Sequence, residues 1–156
     1  MKQLSFLPEL DRRKTQKAVE AAFEKYRLYK YLNFEERNVS TTTSYDPRYH
    51  GSTNITSDQT AKTAIHNVDV SREREAYCKR VEWAVNKLPR IEGFLIRERY
   101  MAIESEYITD QNVYNFKFDP PISEGKYSKI RWKAFYKLAL DLNITIVKEN
   151  TGYERD

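Results

Sequence analysis

The feature that most constrains this chain is a break between two capped segments near its C-terminal end. Asp119-Pro120-Pro121 cannot continue a helix, and proline disfavours helical geometry in the residue before it. Upstream, Thr109 can cap a short helix through Asn112, Val113 and Phe116. Downstream, Ser123 can cap a longer one running from Glu124 to about Leu142. A short capped helix, a tight turn and a second capped helix follow one another in the order of a helix-turn-helix over about 109–142.

Charge falls unevenly on this motif. The chain carries 27 Lys and Arg against 23 Asp and Glu, a net +4. From Pro120 to Leu140 the basic residues are Lys126, Lys129, Arg131, Lys133 and Lys137, and the one acidic residue is Glu124, so the whole excess sits there. At 100° per residue, the four lysines share a stripe roughly 80° wide on the predicted helix. Ile130, Ala134, Leu138 and Leu142 gather on the other side to pack. Arg131 falls within that apolar arc and breaks the pattern. Trp132 and Tyr136 lie between the faces and are expected in the core. A lysine stripe with almost no interleaved acid suits a polyanion, and double-stranded DNA is the expected partner.

In a helix-turn-helix the first residues of the second helix meet base edges. The expected DNA-binding residues are Ser123, Glu124, Lys126, Tyr127, Ser128, Lys129, Arg131, Lys133 and Lys137. Glu124 can accept from a cytosine amino group, and Lys126 or Lys129 can donate to guanine. Lys133 and Lys137, further along, suit phosphate.

The rest of the chain reads as helix. Asp11 or Thr15 can start a helix to about Leu32, with Val19, Ala22, Phe23, Tyr26 and Tyr29 at three- and four-residue spacing. That aromatic face suits core packing or self-association. Asn38 to Thr56 is rich in Ser, Thr, Asn and Tyr and reads as a linker. Ser57 can cap a short helix from Asp58 to about Asn67. Ser71 can cap the next, running to Leu88 with Tyr77, Val81, Ala84, Val85 and Leu88 as its stripe, and Pro89 ends it. A helix from about Ile91 to Met101 follows. Ile144 to Val147 can form a short strand. The expected fold is an all-α bundle: an N-terminal helical arm (1–37), a linker (38–56), a helical DNA-binding domain (57–149) and a disordered tail (150–156).

Catalysis and cofactors are not expected. GxGxxG and GxxxxGK[ST] loops are absent. His50, His66 and Cys78 lack metal-ligand spacing, and Cys78 is expected as a packed thiol. Glu104, Glu106 and Asp110 form an acidic cluster that reads as exposed loop charge. No stretch approaches the roughly 18 apolar residues of a membrane span. Pro8, Glu9 and Asp11 interrupt the start where a signal peptide needs an apolar run, so a cytoplasmic protein is expected.

Particular stretches resemble a known family. Tyr45-Asp-Pro-Arg-Tyr-His-Gly51, Thr56-Ser-Asp-Gln-Thr60, Glu98-Arg-Tyr-Met101 and the block from Phe118 to Leu138 resemble the ArpU family of phage transcriptional regulators, and Lys2-Gln-Leu-Ser-Phe6 fits with them. The likeness runs from about Met1 to Lys148. It implies control of phage late genes, including packaging and lysis functions, in the cytoplasm of a bacterial host. It also implies a helix-turn-helix like that of sigma-factor region 4, with Leu95 to Tyr100, Val113 and Ser123 to Leu138 in the corresponding places. Promoter-proximal binding, activation and contact with host RNA polymerase follow from that likeness. A homo-oligomer through the first helix would match a two-fold operator. Two other readings suit the same residues: a packaging recognition subunit resembling a small terminase, and an RNA polymerase adaptor whose lysines face protein.

Overall fold

Asp11 opens the first helix, α1 (Arg12–Ser40), by accepting the Lys14 backbone N–H on Oδ1 at 2.9 Å. The computed structural model describes residues 7–40 and 58–149. Along α1 the four- and three-residue steps from Val19 to Phe23 to Tyr26 put three apolar side chains on one buried face. They pack against α2 (Asp58–Asn86), whose Cys78, Val81, Ala84 and Val85 are buried. The two helices are antiparallel: Tyr26 Oη donates to Glu82 at 2.8 Å, and Asn33 Nδ2 reaches the Ser71 carbonyl at 3.5 Å. Tyr77 Oη donates to the Ala22 carbonyl at 2.8 Å, and its ring meets Tyr29 edge-on.

Both helices run longer than the sequence patterns suggest. The first extends beyond Leu32 to Ser40, because neither Pro nor Gly occurs there. Residues 38–40 of the expected linker are therefore helical, and 41–56 lie outside the described residues. The two helices expected on either side of Ser71 are one. No Pro or Gly interrupts Asp58–Asn86, and Ser71 sits in its interior rather than capping. Ser57, the other expected cap, lies outside the described residues.

After Pro89 comes α3 (Arg90–Ile96), which continues into a widened turn, Arg97–Met101, closed by Ala102 N–H on the Arg97 carbonyl at 3.1 Å. Tyr100, from that turn, stacks on Phe23 of α1 and meets Phe135 of the last helix. Burial pushes its hydroxyl up to about 12, so it stays protonated at the centre of the core. Then follow a 3₁₀ turn, Ile103–Tyr107, a one-turn helix, α4 (Asp110–Asn112), a second widened turn, Val113–Lys117, and the last helix, α5 (Glu124–Asp141).

The result is an all-α bundle with a single core. Val19, Phe23 and Tyr26 of α1 share it with Val81 and Val85, Leu95 and Ile96, Val113, and Ala134, Phe135 and Leu138. Val19, Phe23 and Tyr26 of the expected N-terminal arm thus lie in the same core as the rest. Their aromatic face is used for packing, so it is not available to a second copy.

Asn143, at φ 56°, ends α5 in the left-handed conformation that asparagine tolerates, and Ile144 N–H returns to the Ala139 carbonyl at 2.9 Å. The chain then runs back along the start of α1. Thr15 is buried and exchanges two hydrogen bonds with Ile146, both at 3.2 Å. The strand expected at Ile144 to Val147 is reduced to a single antiparallel bridge between Leu10 and Val147.

Candidate nucleic-acid interface

The two caps form as the sequence predicts. Thr109 Oγ1 accepts from the Asn112 backbone N–H at 3.2 Å, and Asn112 Oδ1 accepts from the Thr109 N–H at 3.0 Å. Ser123 Oγ accepts from the Lys126 N–H at 3.2 Å. Between α4 and α5 the chain folds back, with Ile122 N–H on the Tyr114 carbonyl at 3.1 Å. The Asp119–Pro120 peptide in this turn is cis. One turn of helix (α4), the widened turn Val113–Lys117 and α5 thus follow one another, with Phe118 to Ser123 as the connection.

Asp110 locks this unit together. Its Oδ1 accepts from Tyr127 Oη at 2.8 Å and from Arg99 Nε at 2.9 Å, and its Oδ2 accepts from Arg131 Nη1 at 2.7 Å. One carboxylate thus joins α4 to α5 and to the turn after α3. Tyr127 is buried, with its ring 5.5 Å from Tyr114. Burial, then the charge of Asp110, raises its hydroxyl far above the ordinary range, so it remains a donor. Burial alone would lower Arg131, but the Tyr100 hydroxyl and Asp110 outweigh it and raise it.

Two of the expected DNA-binding residues are placed inside the fold. Tyr127 is core, and the Arg131 guanidinium is spent on Asp110 instead of lying on the surface. Arg131 fell in the apolar arc of the helix because its partner is inside. Lys137 is also engaged within the fold: its ammonium lies 2.8 and 3.1 Å from the two oxygens of Glu92 in α3. The Glu92 side chain is only 5% exposed, so Lys137 neutralises a buried charge. The acidic cluster also divides. Asp110 is engaged, while Glu104 and Glu106 are exposed.

What remains on the outer face of α5 is a reduced set. Ser123, Glu124, Lys126, Lys129 and Lys133 are exposed, and Ser128 is half-buried. Among the described residues, no carboxylate pairs with the ammonium groups of Lys126, Lys129 or Lys133. Trp132 borders this face, half-buried, with the Arg12 guanidinium 4.8 Å above its ring. Asp110, Arg99, Glu92 and Arg12 were not singled out from the sequence for these roles. They lie 11 to 120 residues from their partners in the chain, and no spacing rule links positions so far apart.

Elsewhere the described residues hold no group of three or more His, Cys, Asp or Glu suited to a metal ion. Cys78 is buried, as expected of a packed thiol, and burial raises its pKa. His66 is exposed on α2, and His50 lies outside the described residues. Among the described residues, no helix is long and apolar enough to cross a membrane.

The chain is similar to a protein of Listeria innocua described as an uncharacterized phage-related protein. The two are 28% identical over 145 residues, which span 91% of this chain and 96% of that protein. No family profile matches the chain, and no solved structure matches it.

Proposed function

We propose that this is a phage protein that binds double-stranded DNA through α5 and regulates transcription of phage late genes, acting by binding rather than catalysis. The observation that carries this reading is the exposed arc of Lys126, Lys129 and Lys133, unpaired among the described residues, on a helix held from behind by Asp110. Ammonium groups this close repel one another in water, and a phosphate backbone relieves the repulsion. Ser123 and Glu124, at the exposed start of α5, sit where a recognition helix reads base edges. The similarity to a phage-related protein supports the setting. The resemblance to the ArpU family gives the late-gene role, activation near host RNA polymerase and the sigma-like docking. A two-fold operator calls for a dimer. Since the buried face of α1 is used internally, the dimer contact falls on the outer face, where Leu28 and Tyr31 are more than half exposed.

The test is a fluorescence-anisotropy titration against tiled duplexes from the late region of the phage genome, at two salt concentrations. One fragment should bind far better than the rest and weaken as salt rises. Lys129→Glu/Lys133→Glu should abolish that binding. Equal, weak binding of all fragments by wild type and variant, even at low salt, would sink the reading.

A second reading rests on a different surface. Ile103 is 96% exposed and Phe116 78% exposed, on the turns that flank α4, and Tyr107 is nearly as open. Large apolar groups displayed this way suit a protein partner. RNA polymerase is the partner this reading names, and polymerase captured without DNA and insensitive to nuclease would favour it.

A further inference from the structure

Resting on the DNA-binding reading, we infer that the start of α1 is the second half of the same surface, and that Arg13 and Lys17, beside Arg12, bind the phosphate backbone flanking the bases that α5 reads. Arg12, Arg13 and Lys14 occupy the first turn of α1, which holds no acidic residue. Cations there oppose the helix macrodipole, so the folded protein gains nothing from them locally. Arg13, Lys14 and Lys17 are exposed, and no carboxylate pairs with them among the described residues.

The fold brings this cluster to the edge of the lysine arc. Asp11 N–H donates to the Ile146 carbonyl at 2.8 Å, and the Thr15 hydroxyl is bonded to the same residue. These contacts fix the start of α1 against the segment that follows α5. The Arg12 guanidinium then rests on Trp132. Trp132 lies about 60° around α5 from Lys129 and about 100° from Lys133. Positive charge therefore continues from Lys133 through Lys129 and across the indole to Arg12.

Beyond Arg12 lies a shallow groove of about 380 Å³, lined by Arg12, Arg13, Gln16, Lys17 and Glu20. Its one carboxylate, Glu20, accepts from Gln16 Nε2 at 3.3 Å. The nearby Glu9 is held by Lys148 at 2.7 Å. Glu20 keeps its charge, and the groove sets three cations, Arg12, Arg13 and Lys17, against that one carboxylate. A site of this kind binds phosphate without reading sequence.

The test is Arg13→Gln/Lys17→Gln, which spares Arg12 and its packing on Trp132. It is titrated beside wild type and Lys129→Met/Lys133→Met, on the best-binding duplex and an unrelated one. Each duplex is about 40 base pairs, long enough to flank the site. Salt is varied from about 50 to 200 mM. The slope of log affinity against log salt should fall by about 2 on both duplexes. Affinity at about 100 mM salt should drop roughly ten- to hundredfold, with the preference between duplexes retained. Wild-type slope and affinity in this variant, while Lys129→Met/Lys133→Met loses binding, would overturn the inference and leave the α5 reading standing. Failure of wild type to bind either duplex would overturn both.

Discussion

Of the five basic side chains on α5, Arg131 and Lys137 reach inward to carboxylates that belong to other elements, while Lys126, Lys129 and Lys133 end in solvent, although Lys137 shares their stripe. All five belong to one basic run, and in sequence the four lysines look alike. The difference is made by Asp110 and Glu92, brought to α5 by α4 and α3. Charge that turns inward onto a carboxylate specifies how the elements dock. Charge that ends in solvent is expected to serve a partner.

The sharpest way to break this comparison is to remove an inner carboxylate. Asp110→Ala would leave Arg99 and Arg131 unpaired with side chains only 23% and 19% exposed, and would strip Tyr127 Oη of its acceptor. We expect a loss of about 3 kcal/mol in urea denaturation, because uncompensated charge and an unmet hydroxyl both remain. A change within about 0.5 kcal/mol, the ordinary range for a surface site, would mean the hub does not hold the unit together.

Lys137→Met is the next test, since sequence placed Lys137 among the DNA contacts. Leaving Glu92 buried without its ammonium should cost about 2 kcal/mol, while the salt dependence of DNA binding stays at its wild-type slope. Lys133→Met should do the opposite: stability within about 0.5 kcal/mol of wild type, and a slope lower by about 0.9. Identical behaviour of the two variants would erase the distinction between the faces.

How much of this was legible in the sequence follows from the range of the interactions involved. The caps at Thr109 and Ser123, the proline break and the apolar stripes of α1 and α2 are local patterns, and each was readable. The all-α architecture follows from them. The single long α2 was missed because Ser71 is an acceptable cap residue as well as an acceptable interior one, and only packing decides. The sorting of the five basic residues was missed for a related reason. Whether Lys137 faces Glu92 depends on how α3 crosses α5, which no period of either helix encodes. Arg131 did give a signal: a charge inside an apolar arc. Its partner, Asp110, lies 21 residues away, and no local pattern names it.

A smaller effect is expected at the rim between the faces. Tyr136 is buried beside Trp132, and among the described residues its hydroxyl has no hydrogen-bond partner. Tyr136→Phe removes a polar atom whose desolvation is not offset and should stabilise the protein by up to about 1 kcal/mol. A loss of that size in thermal unfolding would show that the hydroxyl has a partner in solution.

The smallest effect concerns the ion pair that joins α1 to α2, where charge is neither buried like Glu92 nor left unpaired like Lys129. Burial would raise the Glu82 carboxyl, but the hydrogen bonds from Lys30 and Tyr26, with the charge of Lys30, outweigh it and hold it below its ordinary 4.5. A carboxylate depressed in the folded state stabilises above its unfolded pKa, and that stabilisation is lost as pH falls through the folded value. The contribution is therefore present at pH 7 and begins to fade below about pH 4.5. Because the Glu82 and Lys30 side chains are 33% and 53% exposed, solvent screening limits it to a few tenths of a kcal/mol. Glu82→Gln keeps an acceptor for Tyr26 but loses the charge. The stability gap between wild type and this variant, small at pH 7, should close as pH is lowered to about 3. A gap that widens over that range would mean that burial, not Lys30, governs Glu82, and that this pair belongs with the inner face of α5.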